Sequence, residues 1–250
     1  LGLVLQGQGM RQGMEAHRRN RPYCMGSLIW QLNDSWPVVS WSAIDYYGNW
    51  KALHYQSRRA FAPVLVDAVR EGDKLKYYVM SDVLKTKDII LQIELTDFKG
   101  KVLRRHQVKG ELPVNSSALF YEEDWNSAFA ACDTTTSFIH MTLKGAHDRQ
   151  VLSDEVYYPV RPKAQHLPQA KINCKIKKKN GACELTLKSD QLARDVFIEI
   201  PVQGVRFSDN FFDLLPGVSR KILITSGDGS PLEDVSVHIR QLSDISYTEN

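Results

Sequence analysis

The rhythm of apolar and polar positions changes near residue 62. Upstream, Leu1, Val4, Leu5, Met10 and Met14 recur at loose helical spacing, which predicts a helix over residues 1–19. Gly2, Gly7, Gly9 and Gly13 interrupt it, each at a cost of about 1 kcal/mol against alanine. Such a helix needs a close neighbour to hold it. Arg21-Pro22 ends it. Cys24 to Leu32 is a short, nearly continuous apolar run, the mark of a strand buried on both faces in a parallel sheet. Residues 48–61 return to helical period, with Trp50, Leu53, His54, Ser57 and Phe61 on one side, and Ala62-Pro63 stops them. Helix, buried strand, loop, helix is one turn of a (β/α)8 barrel, of which a full copy takes about 250 residues.

Downstream the segments are short, alternating and punctuated. Strands are expected at 64–69, 75–80, 89–95, 102–108, 137–143 and 156–160, with turns at Glu71-Gly72-Asp73 and Asp97 to Gly100. Ile89, Leu91, Ile93 and Leu95 alternate with Gln92 and Glu94, as in a half-buried antiparallel strand. Arg161 to Gln169 is a proline-bearing polar linker. A second series follows at 171–177, 182–188, 195–202, 218–225 and 233–241, the last carrying Val235, Val237 and Ile239 in alternation. The chain is therefore read as mainly β. Two immunoglobulin-like β-sandwiches, 62–166 and 167–250, follow a helix-strand-helix piece, 1–61, of a (β/α)8 TIM barrel.

Charge and composition remove several classes. Thirty-two basic against 29 acidic residues leave +3, and the one dense basic run, Lys175 and Lys177 to Lys179, suits a solvated hairpin tip better than a nucleic-acid site. No apolar run approaches the 18 or so residues of a membrane span. Cys24, Cys132, Cys174 and Cys183 have no metal-ligand spacing, and neither metal nor cofactor is expected. If Asn180-Gly181 makes a two-residue hairpin turn, Cys174 faces Leu187 and shares a face, but not a rung, with Cys183. A disulfide is then disfavoured, because bridged Cα atoms lie within about 7 Å. The opening Leu1-Gly2-Leu3-Val4-Leu5 has no initiator Met or charged leader, and reads as an internal stretch of a longer product.

Candidate chemistry concentrates between residues 30 and 50, which hold four of the five tryptophans: Trp30, Trp36, Trp41 and Trp50. Gln31, Asn33, Asp34, Asp45, Tyr46 and Tyr47 accompany them. Sugars present apolar CH faces rimmed by hydroxyls, which aromatic platforms and amide or carboxylate groups match. Trp30 ends the expected strand, where barrel enzymes carry their sites. Trp36 and Trp41 suit a sugar platform or packing equally, Trp50 suits packing on a helix face, and Asp34 also suits a turn cap. His54 reads as a packed histidine, and Phe211 to Leu215 as a buried corner.

Residues 26–64, GSLIWQLNDSWPVVSWSAIDYYGNWKALHYQSRRAFAPV, closely resemble the end of the catalytic barrel of β-mannosidases, glycoside hydrolases of family 2 in one clan with β-galactosidase and β-glucuronidase. Glu15 to Arg19 fits the preceding helix, and SDNFFDLLPG (208–217) resembles a segment of the C-terminal immunoglobulin-like domain. The resemblance implies an enzyme that removes terminal β-linked mannose with retention. One acid/base and one nucleophile Glu do this, and both should lie upstream of Leu1. It further implies Trp30 as the floor of the mannose pocket, with Asn33, Asp34, Trp36 and Trp41 around it. The implied partners are β-mannoside glycans and the upstream domains of the same chain. Such enzymes occur in bacterial periplasm, lysosome or cytoplasm. Taken alone, residues 1–61 should self-associate or dock on the first sandwich. The rival reading is a non-catalytic carbohydrate-binding or structural sandwich. It requires Tyr77, Tyr78, Phe120, Tyr121 and Trp125 to share an exposed face.

Overall fold

The structure is a computed structural model and describes every residue except 131, 180, 233–235 and 246–250. Asn180 of the expected hairpin turn and Val235 of the last alternation lie outside the described residues. The chain divides into two compact units. One contains Gln12–Ser27 and Ala60–His166; the other contains Leu1–Arg11, Leu28–Arg59 and Leu167–Asn250.

In the first unit seven antiparallel strands form two sheets: β1 (Val64–Glu71), β2 (Lys74–Ser81), β3 (Asp88–Asp97), β4 (Val102–Glu111), β5 (Ser116–Asp124), β6 (Ser137–Gly145) and β7 (Val151–Tyr157). Their orders are β1-β2-β5 and β4-β3-β6-β7. Ile89, Leu91, Ile93 and Leu95 of β3 meet Val64, Val66, Leu75, Tyr77 and Val79 in one buried core, which is why the alternation was readable. β3 is central, so Ile90 and Thr96 on its other face are buried too. β5 escapes the period-two pattern because a bulge interrupts it. Tyr77 pairs with Tyr121 but Tyr78 with Leu119, leaving Phe120 as the extra residue. β7 starts earlier than expected, and it ends at Tyr157, ahead of Pro159, which has no N–H for the ladder.

Helix α1 (Gly2–Arg19) ends in this unit with His17, Arg18 and Arg19 in its last turn, where cations suit the helix dipole. Arg18 is buried and donates to the carbonyls of Ala60 and Ala62 and to Asp82 (3.1 Å); Arg19 pairs with Asp67 and Arg21 with Asp82.

The other unit carries β8 (Ile172–Lys179), β9 (Ala182–Ser189), β10 (Ala193–Glu199), β11 (Val205–Phe207), β12 (Phe212–Leu214), β13 (Ser219–Ser226) and β14 (His238–Arg240). The sheets β11-β13-β9-β8 and β12-β10-β14 close on Leu185, Leu187, Val196, Ile198, Phe212, Leu214, Ile222 and Ile224. β8 and β9 pair in the expected register, Cys174 opposite Leu187 and Lys178 opposite Cys183, and all four cysteines are free. Pro201 follows the end of β10 two residues on, so the strand is shorter than the expected 195–202. Of the expected 233–241, residues 233–235 lie outside the described residues, and β14 covers His238–Arg240.

α2 (Ala52–Ala60) belongs to this unit up to Arg59. α1 crosses it at Gly7: a Cβ there would stand 3.2 Å from the Ala52 carbonyl carbon and from Gln56 Cγ, so any side chain would have to push these neighbours aside by a few tenths of an ångström. Two expectations need correction. The buried face of α2 is Ala52, Leu53, Tyr55, Gln56 and Ala60, whereas Phe61 is exposed. Cys24 to Leu32 is not a strand, and Leu28, Trp30 and Leu32 are exposed. A buried parallel strand needs ladder partners, and among the described residues no strand pairs with this segment. Among the described residues no helix is long and apolar enough to cross a membrane.

Alkylation in denaturant without reductant should add four groups to the chain, since all four thiols are free. In the native state the core thiol of Cys183 should stay protected. Fewer than four adducts in denaturant, read by intact mass, would contradict the free-thiol assignment.

Candidate aromatic loop and its anchoring

Residues 31–51 close on themselves through backbone hydrogen bonds. Ala43 N–H donates to the Gln31 and Leu32 carbonyls (both 3.1 Å), Ile44 N–H to Leu32 O (2.8 Å), Asp34 N–H to Ile44 O (3.1 Å) and Lys51 N–H to Ala43 O (2.9 Å). Inside this ring sits the Asp34 side chain, 5% exposed. Its carboxylate accepts from the hydroxyls of Ser40 and Ser42 (2.7 Å to the latter) and from Lys51 Nζ (3.0 Å). Lys51 also donates to Ser42 Oγ (2.7 Å), so the four side chains form one network. The Ser40 and Ser42 hydroxyls, with Lys51 adding its charge, hold the Asp34 carboxyl down to about 2 against the opposing effect of burial. Asp45 ties a second turn, accepting from Asn49 N–H (2.8 Å) and Asn49 Nδ2 (2.9 Å), with Gly48 at φ +82°.

The rings this loop carries face outward. Trp30 is 77% exposed, Trp36 65% and Trp41 58%, so packing accounts for none of them in this chain. Asn33 is exposed beside them, its amide donating to Asp34 O (3.2 Å). The Trp30–Gln31 peptide is cis. Asp34 differs from its neighbours. It is enclosed and already bonded to Ser40, Ser42 and Lys51. Ser40, Ser42 and Lys51 escaped the sequence reading, because no periodicity marks side chains that converge only when a loop closes. Trp50 behaves as a packing residue, its ring 5.5 Å from Tyr55 and 4.2 Å from His54. Burial, with Arg58 and Arg206 nearby, pushes the His54 pKa down, which suits a neutral packed imidazole.

The loop runs directly into α2, and α2 is held by residues 208–211. Gln56 Nε2 and Arg59 Nη1 donate to Phe211 O (3.1 and 3.0 Å), Arg59 Nη2 to Asn210 O (2.7 Å) and to Asp209, and Arg58 to Ser208 O (2.7 Å). Phe211, at φ +51°, stacks on Phe197 at 4.7 Å and lies 6.0 Å from Tyr55. Residues 28–59 share one compact unit with the chain after residue 167. Phe211, Phe212 and Leu214 are buried, as a corner should be. The rival binding face does not assemble. Tyr77 is fully buried, while Phe120, Tyr121 and Trp125 pack on the core, with Arg70 4.1 Å over the Trp125 ring. Among the described residues no three His, Cys, Asp or Glu side chains gather where they could hold a metal ion.

Asp34→Asn should loosen the loop. Amide exchange at Asp34, Ala43 and Ile44 should quicken by about tenfold, the scale of a lost charged hydrogen bond. A carboxyl held below its unfolded value stabilises the fold at neutral pH and loses that contribution as pH falls through about 4 to about 2. The protein should therefore show loop exchange that rises over this window, and the Asn variant should not. Exchange measured from pH 5 to pH 2 checks both.

Two domain families match the chain: a Mannosidase Ig/CBM-like domain over residues 73–164 and the Ig-fold domain Ig_mannosidase over 167–245. Among curated proteins, the chain is 28% identical to β-mannosidase of Capra hircus over 221 residues, 84% of this chain and 25% of that protein. It is 25% identical to β-mannosidase B of Thermothelomyces thermophilus, over 96% of this chain and 30% of that protein. The chain thus spans about a quarter of the length of the curated relatives it matches. Among solved structures, β-D-mannosidase from Dictyoglomus thermophilum superposes with a TM-score of 0.79 at 26% identity, over 96% of this chain and 29% of that one. The exo-chitosanase CsxA of Amycolatopsis orientalis shares the fold, with a TM-score of 0.73 at 18% identity over 96% of this chain and 33% of that one. Residues 73–164 and 167–245 are thus immunoglobulin-like domains of the mannosidase type, and over most of its length the chain is similar to the C-terminal portion of β-mannosidases.

Proposed function

We propose that this chain is the closing part of an exo-acting enzyme that removes terminal, non-reducing β-D-mannose with retention. In this reading residues 1–61 complete the catalytic barrel, and 62–166 and 167–250 are sandwiches that brace it. The exposed tryptophan loop is one wall of the sugar pocket. Trp30 is its floor, Trp36 and Trp41 are flanking platforms, and Asn33 is a partner for hydroxyls. Asp34 keeps the loop in shape. The observation that carries the proposal is this pairing of outward aromatic rings with a rigid, hydrogen-bonded loop, in a chain whose relatives are named β-mannosidases.

Retention needs two carboxyl groups about 5–5.5 Å apart across the scissile bond. The nearest acids of residues 1–61 do not suit that task. Asp34 is enclosed by Ser40, Ser42 and Lys51, Asp45 is spent on the Asn49 turn, and Glu15 is buried on α1. Both catalytic Glu residues are therefore assigned to the part of the enzyme that precedes Leu1. Exposed Leu28, Leu32, Val38 and Val39 are the faces that the rest of the barrel, or a second copy of the isolated chain, would cover.

The test is hydrolysis of a chromogenic β-mannoside by the 250-residue chain beside the enzyme extended upstream through the whole barrel. Turnover is expected from the extended enzyme alone; turnover by the short chain would return the carboxylates of Asp34, Asp45 and Glu15 to consideration. In the extended enzyme Trp30→Ala should lower kcat/KM by about tenfold or more, the scale of losing one stacked aromatic face. Unchanged kinetics would remove Trp30 from the pocket.

A further inference from the structure

We infer that residues 208–211 of the C-terminal sandwich are a positioning clamp for the tryptophan loop, and that Arg59 and Asp209 set mannoside affinity without touching the sugar. The inference rests on the pocket reading above. Its own basis is a continuous set of contacts. Asn210 is buried and uses its side-chain amide as a strand would use its backbone. It accepts from Ile198 N–H (2.8 Å) and donates to Ile198 O (2.8 Å), pinning the segment to β10. The same Oδ1 accepts from Phe211 N–H (3.0 Å), and Phe211 takes a left-handed backbone. Three carbonyls, those of Ser208, Asn210 and Phe211, are thereby left for side chains of α2.

Arg59 reads two of these carbonyls and Asp209 with one planar fork, a geometry that a lysine reproduces only in part. Arg220 holds the other oxygen of Asp209, so the carboxylate is fixed from both sides. At the other end of α2, Lys51 enters the Asp34 network and its N–H closes the loop on Ala43, while Trp50 bridges to Ile44. Between these ends lie a little over two turns of helix, which transmit a shift with little give. A displaced Arg59 therefore moves Lys51, and Lys51 moves the loop that presents Trp30, Trp36 and Trp41. Nothing in the SDNFF motif needs to meet substrate for it to matter to the site.

The experiment compares Arg59→Ala, Arg59→Lys and Asp209→Asn in the full-length enzyme. The core variant Ile222→Val serves as a measure of general softening of the same sandwich. Amide exchange at Asp34, Ala43, Ile44 and Lys51 and steady-state kinetics on p-nitrophenyl β-D-mannoside are read on each. Arg59→Ala and Asp209→Asn should raise loop exchange and KM by about threefold to tenfold, with kcat within about twofold; Arg59→Lys should fall between them and the parent. Ile222→Val should lower the melting temperature and leave loop exchange and KM in place. Loop exchange that is unchanged in Arg59→Ala overturns the clamp. Equal KM increases in Arg59→Ala and Ile222→Val overturn it as well, because general softening would then suffice. A loosened loop with unchanged KM overturns the link to affinity if Trp30→Ala still impairs turnover. If Trp30→Ala is also silent, it is the pocket reading that has failed.

Discussion

Helix α2 is nine residues long, too short to be stable by itself in water. Where it is held decides the shape of everything joined to it. One end runs from a loop closed around the Asp34–Lys51 pair, and the other lies on the carbonyls of residues 208–211. Both attachments use charged groups donating to fixed oxygens, which are among the stronger and more directional hydrogen bonds available. Apolar burial of Ala52, Leu53 and Tyr55 gives the helix a seat; the Arg59 and Lys51 contacts fix its register.

The division of labour among the acidic residues follows from solvation. A carboxylate taken out of water must be repaid by donors, and Asp34 and Asp209 both are, by hydroxyls and lysine in one case and by arginines in the other. Groups so fully bonded are good anchors and poor reagents, since a nucleophile or proton donor needs an open face. The exposed tryptophans show the complementary case. Flat apolar rings left in water by a loop that is otherwise well ordered are in place to receive another surface. Tyr77, Phe120, Tyr121 and Trp125 of the first sandwich are instead packed on its core.

Much of the architecture is legible in the chain itself. Antiparallel strands with one buried face write a period of two into Ile89 to Leu95, and the β8–β9 pairing could be placed from the hairpin signal alone because register follows turn length. Irregular strands were not legible. The bulge at Phe120 hides β5, and three-residue strands such as β11 and β12 are too short to show any period. The apolar run from Cys24 to Leu32 is the instructive failure. Hydrophobicity reports that a segment suits burial, whereas a strand also requires neighbours to bond with.

The same boundary runs through the site. Composition alone pointed to the tryptophan-rich segment, since four large aromatic side chains within about twenty positions outnumber what a solvated loop requires. Which of its polar residues face outward was decided only by closure of the loop. Closure brought Ser40, Ser42 and Lys51 onto Asp34 and left Asn33 outside. The partnership of Arg59 with Asp209, 150 positions away, is likewise invisible along the chain. Local sequence determines periodicity, turns and breaks, because those depend on neighbours a few residues apart. Long-range hydrogen bonds depend on where a folded backbone happens to present its oxygens, and only the tertiary structure decides that.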